Sequence, residues 1–344
     1  MVRSDPESVL ELARSWLVAG ERVALATVVA TWSSSPRPVG SQMAIGSDGR
    51  FAGSVSGGCV ESAVLVAARE LFAGATRVAG VTPAPRTLEF GVSLEQAWQV
   101  GLPCGGKIMI FLAEASLAVL ERACAASARR ESVAIISDID SGIEEVWASP
   151  AAGRVAGDEA SARAVGELIQ RERSELLELG GRRLFVHVVA APLRLIAVGA
   201  VHLTQALAEL ARRAGMDVTV VDPRTAFATV ERFPDVAIEH EWPDVALPKL
   251  GLDRRTAVVV LSHDHKLDEP ALQAALASEC FYIGALGSQR TQRARRERLA
   301  EAGFAEAALA RIHGPIGLDI GALTTPEIAI AIMAEMIRAW RRRS

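Results

Sequence analysis

The chain has 344 residues and a formal net charge of −4; half of its residues are hydrophobic and 23% are charged. That length suits two domains of ordinary size, and that balance excludes wholesale disorder. The mild negative charge gives no general attraction to nucleic acid or to anionic membranes.

Asp5-Pro6-Glu7 followed by Val9, Leu10, Leu12, Ala13, Trp16 and Leu17 predicts a capped amphipathic helix that ends at Gly20. Val23 to Thr31 is a β-rich run, and Ser33 to Pro38 must be a loop. Ser41–Ile45 and Arg50–Val55 read as strands around the turn Ser47-Asp48-Gly49. A helix is expected from Cys59 to about Ala73, after Gly57-Gly58. Lys107–Leu112 reads as a strand, Ser116–Arg130 as a helix, Val133–Ser137 as a strand and Ala160–Leu179 as a helix.

From Pro192 the rhythm changes. Leu195–Val198 is a short buried strand, and Leu203, Ala206, Leu207, Leu210, Ala211 and Ala214 follow helical spacing up to Gly215. Val218–Val221, Ala257–Leu261 and Phe281–Ile283 are further strands, each of the last two followed by a helical pattern. Strand, helix, strand at this spacing predicts parallel crossovers. The expected fold is therefore α/β: an N-terminal α/β domain over 1–190, then a Rossmann-like doubly wound parallel sheet over 191–344.

Cys59, Cys104, Cys124 and Cys280 contain no CxxC pair, so neither a zinc-binding spacing nor a disulfide framework is present. Reduced thiols, an N-terminus without the apolar core of a signal peptide, and an apolar run 186–201 broken by Pro192 and Arg194 all predict a cytoplasmic protein with no bilayer span.

In a doubly wound sheet, ligands bind at the carboxyl ends of the strands. The residues after the predicted strands are Gly199-Ala200-Val201-His202, Asp222-Pro223-Arg224, Ser262-His263-Asp264-His265 and Gly284-Ala285-Leu286-Gly287. Small, acidic and imidazole side chains thus gather on one edge, where the first helix also offers its amides to an anion. A dinucleotide fingerprint needs glycine at three places, here Gly199, Val201 and Thr204. Val201 puts methyl groups where the pyrophosphate backbone approach is needed, so NAD(P) binding is disfavoured although Asp222 stands at the ribose position. His263, Asp264, His265 and Asp268 could be read as metal ligands, but a turn that lines a pocket or caps the next helix accounts for them better, and no metal site is assigned. The helix bearing Arg290, Arg293, Arg295, Arg296 and Arg298 reads as a solvated face, with a phosphate grip as its alternative.

Gly57-Gly58-Cys59 opens a predicted helix, and Pro103-Cys104-Gly105-Gly106 precedes a strand. A thiol at a helix start has its thiolate favoured, and flanking glycines admit a bulky ligand. A small buried hydrophobe is the competing role for both, and the better one for Cys124 and Cys280.

Together these segments resemble the XdhC/CoxI family, accessory proteins of molybdenum hydroxylases such as xanthine dehydrogenase. The resemblance rests on Ala26–Trp32, Ser35–Gly40, Gly53–Glu61 and Cys104–Gly106, then on Val221–Arg224, His263–His265, Tyr282–Ser288 and His313–Ala322. It departs at Gly199-Ala200-Val201-His202, where family members commonly carry Gly-Ala-Gly-His. The resemblance implies a protein that binds the molybdenum cofactor (molybdopterin) as cargo, assists its sulfuration and delivers it to a hydroxylase client. A cysteine desulfurase would be a second partner, and a homodimer is compatible with an apolar-rich docking protein. Cys59, Cys104, Gly199, His202, Asp222, Arg224, His263, Asp264 and His265 are the expected cofactor-binding residues, with no catalytic residue. An NAD(P)-dependent oxidoreductase and a pure interaction scaffold remain the alternatives.

Overall fold

The computed structural model describes residues 6–32, 37–58, 60–74, 83–92, 106–147 and 159–342. Contacts divide the chain into two units, Met1–Ala191 and Pro192–Ser344.

In the first unit, α1 (Pro6–Val18), α2 (Glu61–Gly74), α3 (Leu117–Ala128) and α4 (Glu159–Arg171) accompany two sheets. One has the order β3 (Phe51–Gly53), β2 (Gln42–Gly46), β1 (Val23–Trp32), β5 (Gly106–Glu114), β4 (Arg86–Val92). The other runs β7 (Glu144–Trp147), β6 (Val133–Asp138), β9 (Arg182–Val189), β8 (Glu175–Leu179). All of these pairings are antiparallel. The Val, Ala and Ile of β1 and β5 fill the interior, and Val29, Met109 and Phe111 meet Phe185 of the second sheet and Ile139, the residue after β6. Between the sheets lies a small cavity lined in part by Thr27, Gln42, Ser137, Glu144 and His187. Burial there keeps the His187 imidazole neutral, with its pKa lowered to about 4.

The expected helix over 160–179 is corrected. It ends at Arg171, because Glu172 turns left-handed (φ 52°), and residues 175–179 form β8. The physical reason is the Gly180-Gly181 turn: both residues have positive φ (58° and 74°), so β8 folds straight back onto β9, with Leu179 opposite Arg182. The helix expected from Cys59 likewise starts two residues later, at Glu61.

The second unit is a six-stranded parallel sheet in the order β12 (Ala237–Glu239), β11 (Asp217–Val221), β10 (Arg194–Val198), β13 (Thr256–Val260), β14 (Tyr282–Ala285), β15 (Ile312–His313). This is the doubly wound order, with its reversal between β10 and β13. The four central strands, β11, β10, β13 and β14, are buried on both faces. One layer forms where β10 and β13 meet α5 (His202–Arg213) and α10 (Thr325–Arg341), through Leu207, Ala211, Ile332 and Met336. On the other face Val258 and Val260 meet Leu247 of α6 (Pro243–Leu250), Leu272 of α7 (His265–Leu276) and Leu299 of α8 (Gln289–Glu301), with Leu309 of α9 (Glu306–Leu309) beside them. Among the described residues, no helix is long and apolar enough to cross a membrane.

Candidate functional site

The strand reversal places the turn after β10 beside the turn after β13. Gly199 has φ 101°, and a Cβ on it would lie 2.8 Å from both the Cβ and the backbone N of Ser262. Only glycine tolerates both that backbone and that approach.

Asp222, fully buried at the end of β11, ties this turn to the next. Its Oδ2 accepts the Ala200 N–H (2.7 Å) and an Arg224 Nη2–H (2.7 Å), while Oδ1 accepts the Arg224 backbone N–H and Nε–H (both 2.9 Å). Burial opposes the charge on Asp222, but these donors outweigh it and hold the carboxyl below its usual range. Both oxygens are therefore committed inside the protein. An acid that grips a ribose diol needs them facing outward, so the dinucleotide role weighed for Asp222 lacks its acceptors here.

The two departures from the glycine fingerprint have local explanations. Thr204 is fully buried, and its hydroxyl donates to the Gly199 carbonyl at 2.5 Å, so the third position accepts a side chain that bonds the turn itself. Val201, the residue before α5, makes no side-chain cap bond and packs against the apolar layer of α5 and α10. Its methyl groups are thus partly spent on the core, which weakens the steric objection to an anion at this turn.

Sequence reasoning missed Arg232. In the loop after Arg224, its Nη1 donates to the Ala200 carbonyl (2.9 Å) and to that of Phe227, and its own carbonyl accepts Gln205 Nε2–H from α5 (3.0 Å). His202, exposed at the start of α5, lies 3.3 Å from the same Gln205. The Arg224 guanidinium stands 4.6 Å and that of Arg232 5.9 Å from the ring centre of half-exposed Phe227. The only signal in the sequence was an arginine within ten residues of the Asp222 turn.

After β13, His263 is exposed with φ 59°, and His265 is exposed as the first residue of α7. Asp264 caps α7 by accepting the Lys266 N–H at 2.9 Å. Asp268 turns inward instead: Ser262 Oγ–H (2.6 Å) and Arg295 Nη2–H (3.2 Å) donate to it. Burial raises the Asp268 pKa, partly offset by those two partners. The expected solvated face of α8 is thereby corrected for Arg295, which is buried because Asp268 and the Leu286 carbonyl receive it; Arg290 and Arg293 are exposed. Among the described residues no cluster of three potential metal ligands occurs.

The string 313–322 follows β15 and folds over β14, with the Ile316 N–H on the Ala285 carbonyl. Buried Glu335 of α10 anchors it. The carboxylate accepts Tyr282 Oη–H (2.7 Å) and the Gly317 N–H (2.9 Å), and His313 Nδ1 lies 3.3 Å away. Burial works against this charge, and the three partners together hold the Glu335 pKa down.

In the first unit, Cys59 and Cys104 lie outside the described residues. Cys280 is buried and Cys124 packs on an apolar cluster. What the structure does place is Glu61, the first residue of α2. Its carboxylate accepts Ser54 Oγ–H (2.7 Å), Ser56 Oγ–H (2.5 Å) and the N–H groups of Val55, Ser56, Gly57, Gly58 and Val60 (2.9–3.2 Å). Partial burial opposes the charge, yet the Ser56 and Ser54 bonds and the amides bring the pKa down to about 2. The glycine amides that were expected to admit a ligand are occupied by the chain's own carboxylate.

Comparison with known proteins is consistent along the chain. Residues 195–336 match a model described as the XdhC Rossmann domain, and residues 16–82 match the model of the XdhC and CoxI family. A protein of Escherichia coli named "Molybdenum cofactor insertion chaperone PaoD" is 30% identical, over 96% of this chain and 88% of the relative. A Bacillus subtilis protein, described as a probable subunit of xanthine dehydrogenase, is 27% identical over 94% of each chain. A crystal structure described as a xanthine dehydrogenase from Bacillus halodurans superposes with a TM-score of 0.77 at 24% identity, covering 97% of this chain and 96% of that one, which establishes the shared fold.

Proposed function

The chain belongs to the XdhC and CoxI family, and on that premise we propose that it is a non-enzymatic accessory protein that binds the molybdenum cofactor as cargo and delivers it to a molybdenum hydroxylase. The observation that carries this reading is the match, over nearly the whole chain, to a relative named as a cofactor insertion chaperone. The geometry of the second unit supports it. The turn after β10 offers uncapped amides and the nearby guanidiniums of Arg224 and Arg232 to an anion, and His202, His263 and His265 are exposed polar groups for a pterin. Gly199, Asp222 and Asp264 act by shaping those turns.

Cys59 and Cys104 are the thiols assigned to the cargo's metal–sulfur end, on the chemistry of a soft ligand flanked by glycine. Assistance in sulfuration, a cysteine desulfurase as sulfur donor, a homodimeric state and a reducing cytoplasmic setting complete the proposal. An oxidoreductase using NAD(P) is disfavoured because Asp222 has no oxygen left for a ribose hydroxyl.

Pterin released from protein purified out of a molybdenum-replete host, identified by mass spectrometry and fluorescence, tests the reading. Wild type is expected to retain pterin, and a Cys59→Ala, Cys104→Ala double variant to retain much less. Wild type devoid of pterin, combined with NAD(H) binding in the micromolar range, would replace the carrier by the oxidoreductase. Equal pterin in both proteins would remove the thiols from the site.

A further inference from the structure

The charges around the first two turns of the parallel sheet do not balance locally. Arg224 is neutralised by Asp222, two bonds to two oxygens. The Arg232 guanidinium lies between the rings of Phe233 (5.6 Å) and Phe227 (5.9 Å), yet among the described residues it has no carboxylate partner, and the carboxylate of neighbouring Glu231 is held by its own backbone N–H and by Thr229. Only Nη1 of Arg232 is bonded, to the carbonyls of Ala200 and Phe227; Nε and Nη2 carry no bond to a described residue. A guanidinium that keeps one edge fixed and another edge unfilled is preorganised for a two-oxygen acceptor.

Its position narrows the acceptor. Arg232 bonds the carbonyl of Ala200, the residue whose N–H is fixed by Asp222, so the cation is pinned to the first turn of the doubly wound sheet. Its own carbonyl is held by Gln205 of α5, and the loop continues to an Arg212 bond on the Pro234 carbonyl. The loop backbone that carries the cation is thus tied to the helix at two levels, and Nη1 holds the side chain to the first turn.

We infer that Arg232, with Arg224 beside it, forms a subsite for the phosphate monoester of a bound ligand. This rests on the reading that the ligand of the second unit occupies the carboxyl edge of the sheet, and it names the group held there. Phosphate esters reach the protein from two sources, a pterin side chain or a nucleotide, and the subsite chemistry is common to both.

The test uses the purified full-length chain and two matched probe pairs, neopterin phosphate against neopterin and AMP against adenosine, by titration calorimetry. In wild type the phosphorylated member of at least one pair is expected to bind about ten-fold or more tightly than its partner. That gap collapses in Arg232→Gln and is partly kept in Arg232→Lys, which preserves the charge and loses the fork. A gap in the pterin pair assigns the phosphate to a pterin; a gap in the adenosine pair assigns it to a nucleotide. No gap in wild type overturns the subsite, as does a gap unchanged in Arg232→Gln. Should Arg232→Gln lose its native circular dichroism, Arg232→Lys alone decides, since an unaltered gap there, with inorganic phosphate failing to compete, also overturns it. Failure of the carrier reading is seen separately: it removes co-purified pterin from wild type but leaves a phosphate-dependent gap for AMP intact.

Discussion

Each unit of this protein contains a glycine-flanked turn organised by one carboxylate, and the two turns solve the same electrostatic problem in opposite ways. Around Glu61 the backbone amides of residues 55–58 and 60 converge on an anion that the chain itself supplies. Around Asp222 only two amides, those of Ala200 and Arg224, reach the carboxylate, and the Arg224 guanidinium takes the remaining acceptor capacity. The first arrangement is closed, with anion and donors matched. The second leaves Arg232 as a surplus cation at an open edge. A glycine-rich turn is therefore no evidence of a ligand site until the partner of its amides is known.

Substitutions can break that contrast. The largest effect is expected from Asp222→Asn, which strips Arg224 of its charge partner and should cost about 4 kcal/mol. Urea denaturation checks it, and a loss below about 1 kcal/mol would mean that the pair is incidental to the turn. Gly199→Ala comes next, at about 3 kcal/mol, because the new methyl meets Ser262 and the backbone is left-handed. A fall in thermal midpoint is the readout, and wild-type stability would contradict the close approach of the two turns.

Glu61→Gln should cost about 2 kcal/mol at neutral pH, since one acceptor of the closed turn becomes a donor. Its pH dependence sharpens the comparison. The folded pKa of Glu61 is depressed from 4.5 to about 2, so its contribution is complete above pH 4.5 and is lost as pH falls from there toward 2. Subtracting the stability curve of Glu61→Gln from that of wild type should isolate a sigmoid in this window. A flat difference would show that the carboxylate is not held as described.

Much of the second unit was legible because its central strands are buried on both faces and read as continuous Val, Ile and Leu runs separated by helical spacing. The short strands β12 and β15 escaped notice, as two or three residues leave no periodicity to detect. The helix assigned over 160–179 failed for a related reason. Leu176, Leu177 and Leu179 fit helical spacing as well as a strand, and only the Gly180-Gly181 hairpin signal separates the two.

At the site, residue types were readable but their partners were not. Asp222 stood where a ribose acid belongs, yet whether a carboxylate faces outward depends on Arg224 and Ala200, a relation that spacing does not encode. Glu61 was visible within the string Gly53–Glu61, but as the first residue of α2 it falls outside the capping-box spacing, and nothing local announced that its carboxylate folds back onto the preceding amides. Arg232 carried no motif of its own.

Glu335 joins three pieces of the second unit at one point: strand β14 through Tyr282, the 313–322 string through Gly317 and His313, and helix α10 on which it sits. Since α10 also packs on α5, whose first turn follows Gly199, the same helix layer backs both the 313–322 string and the first turn of the sheet. Neutralising that one carboxylate would therefore slacken a strand, its covering segment and a helix layer at once, a wider injury than the loss of any single bond among them.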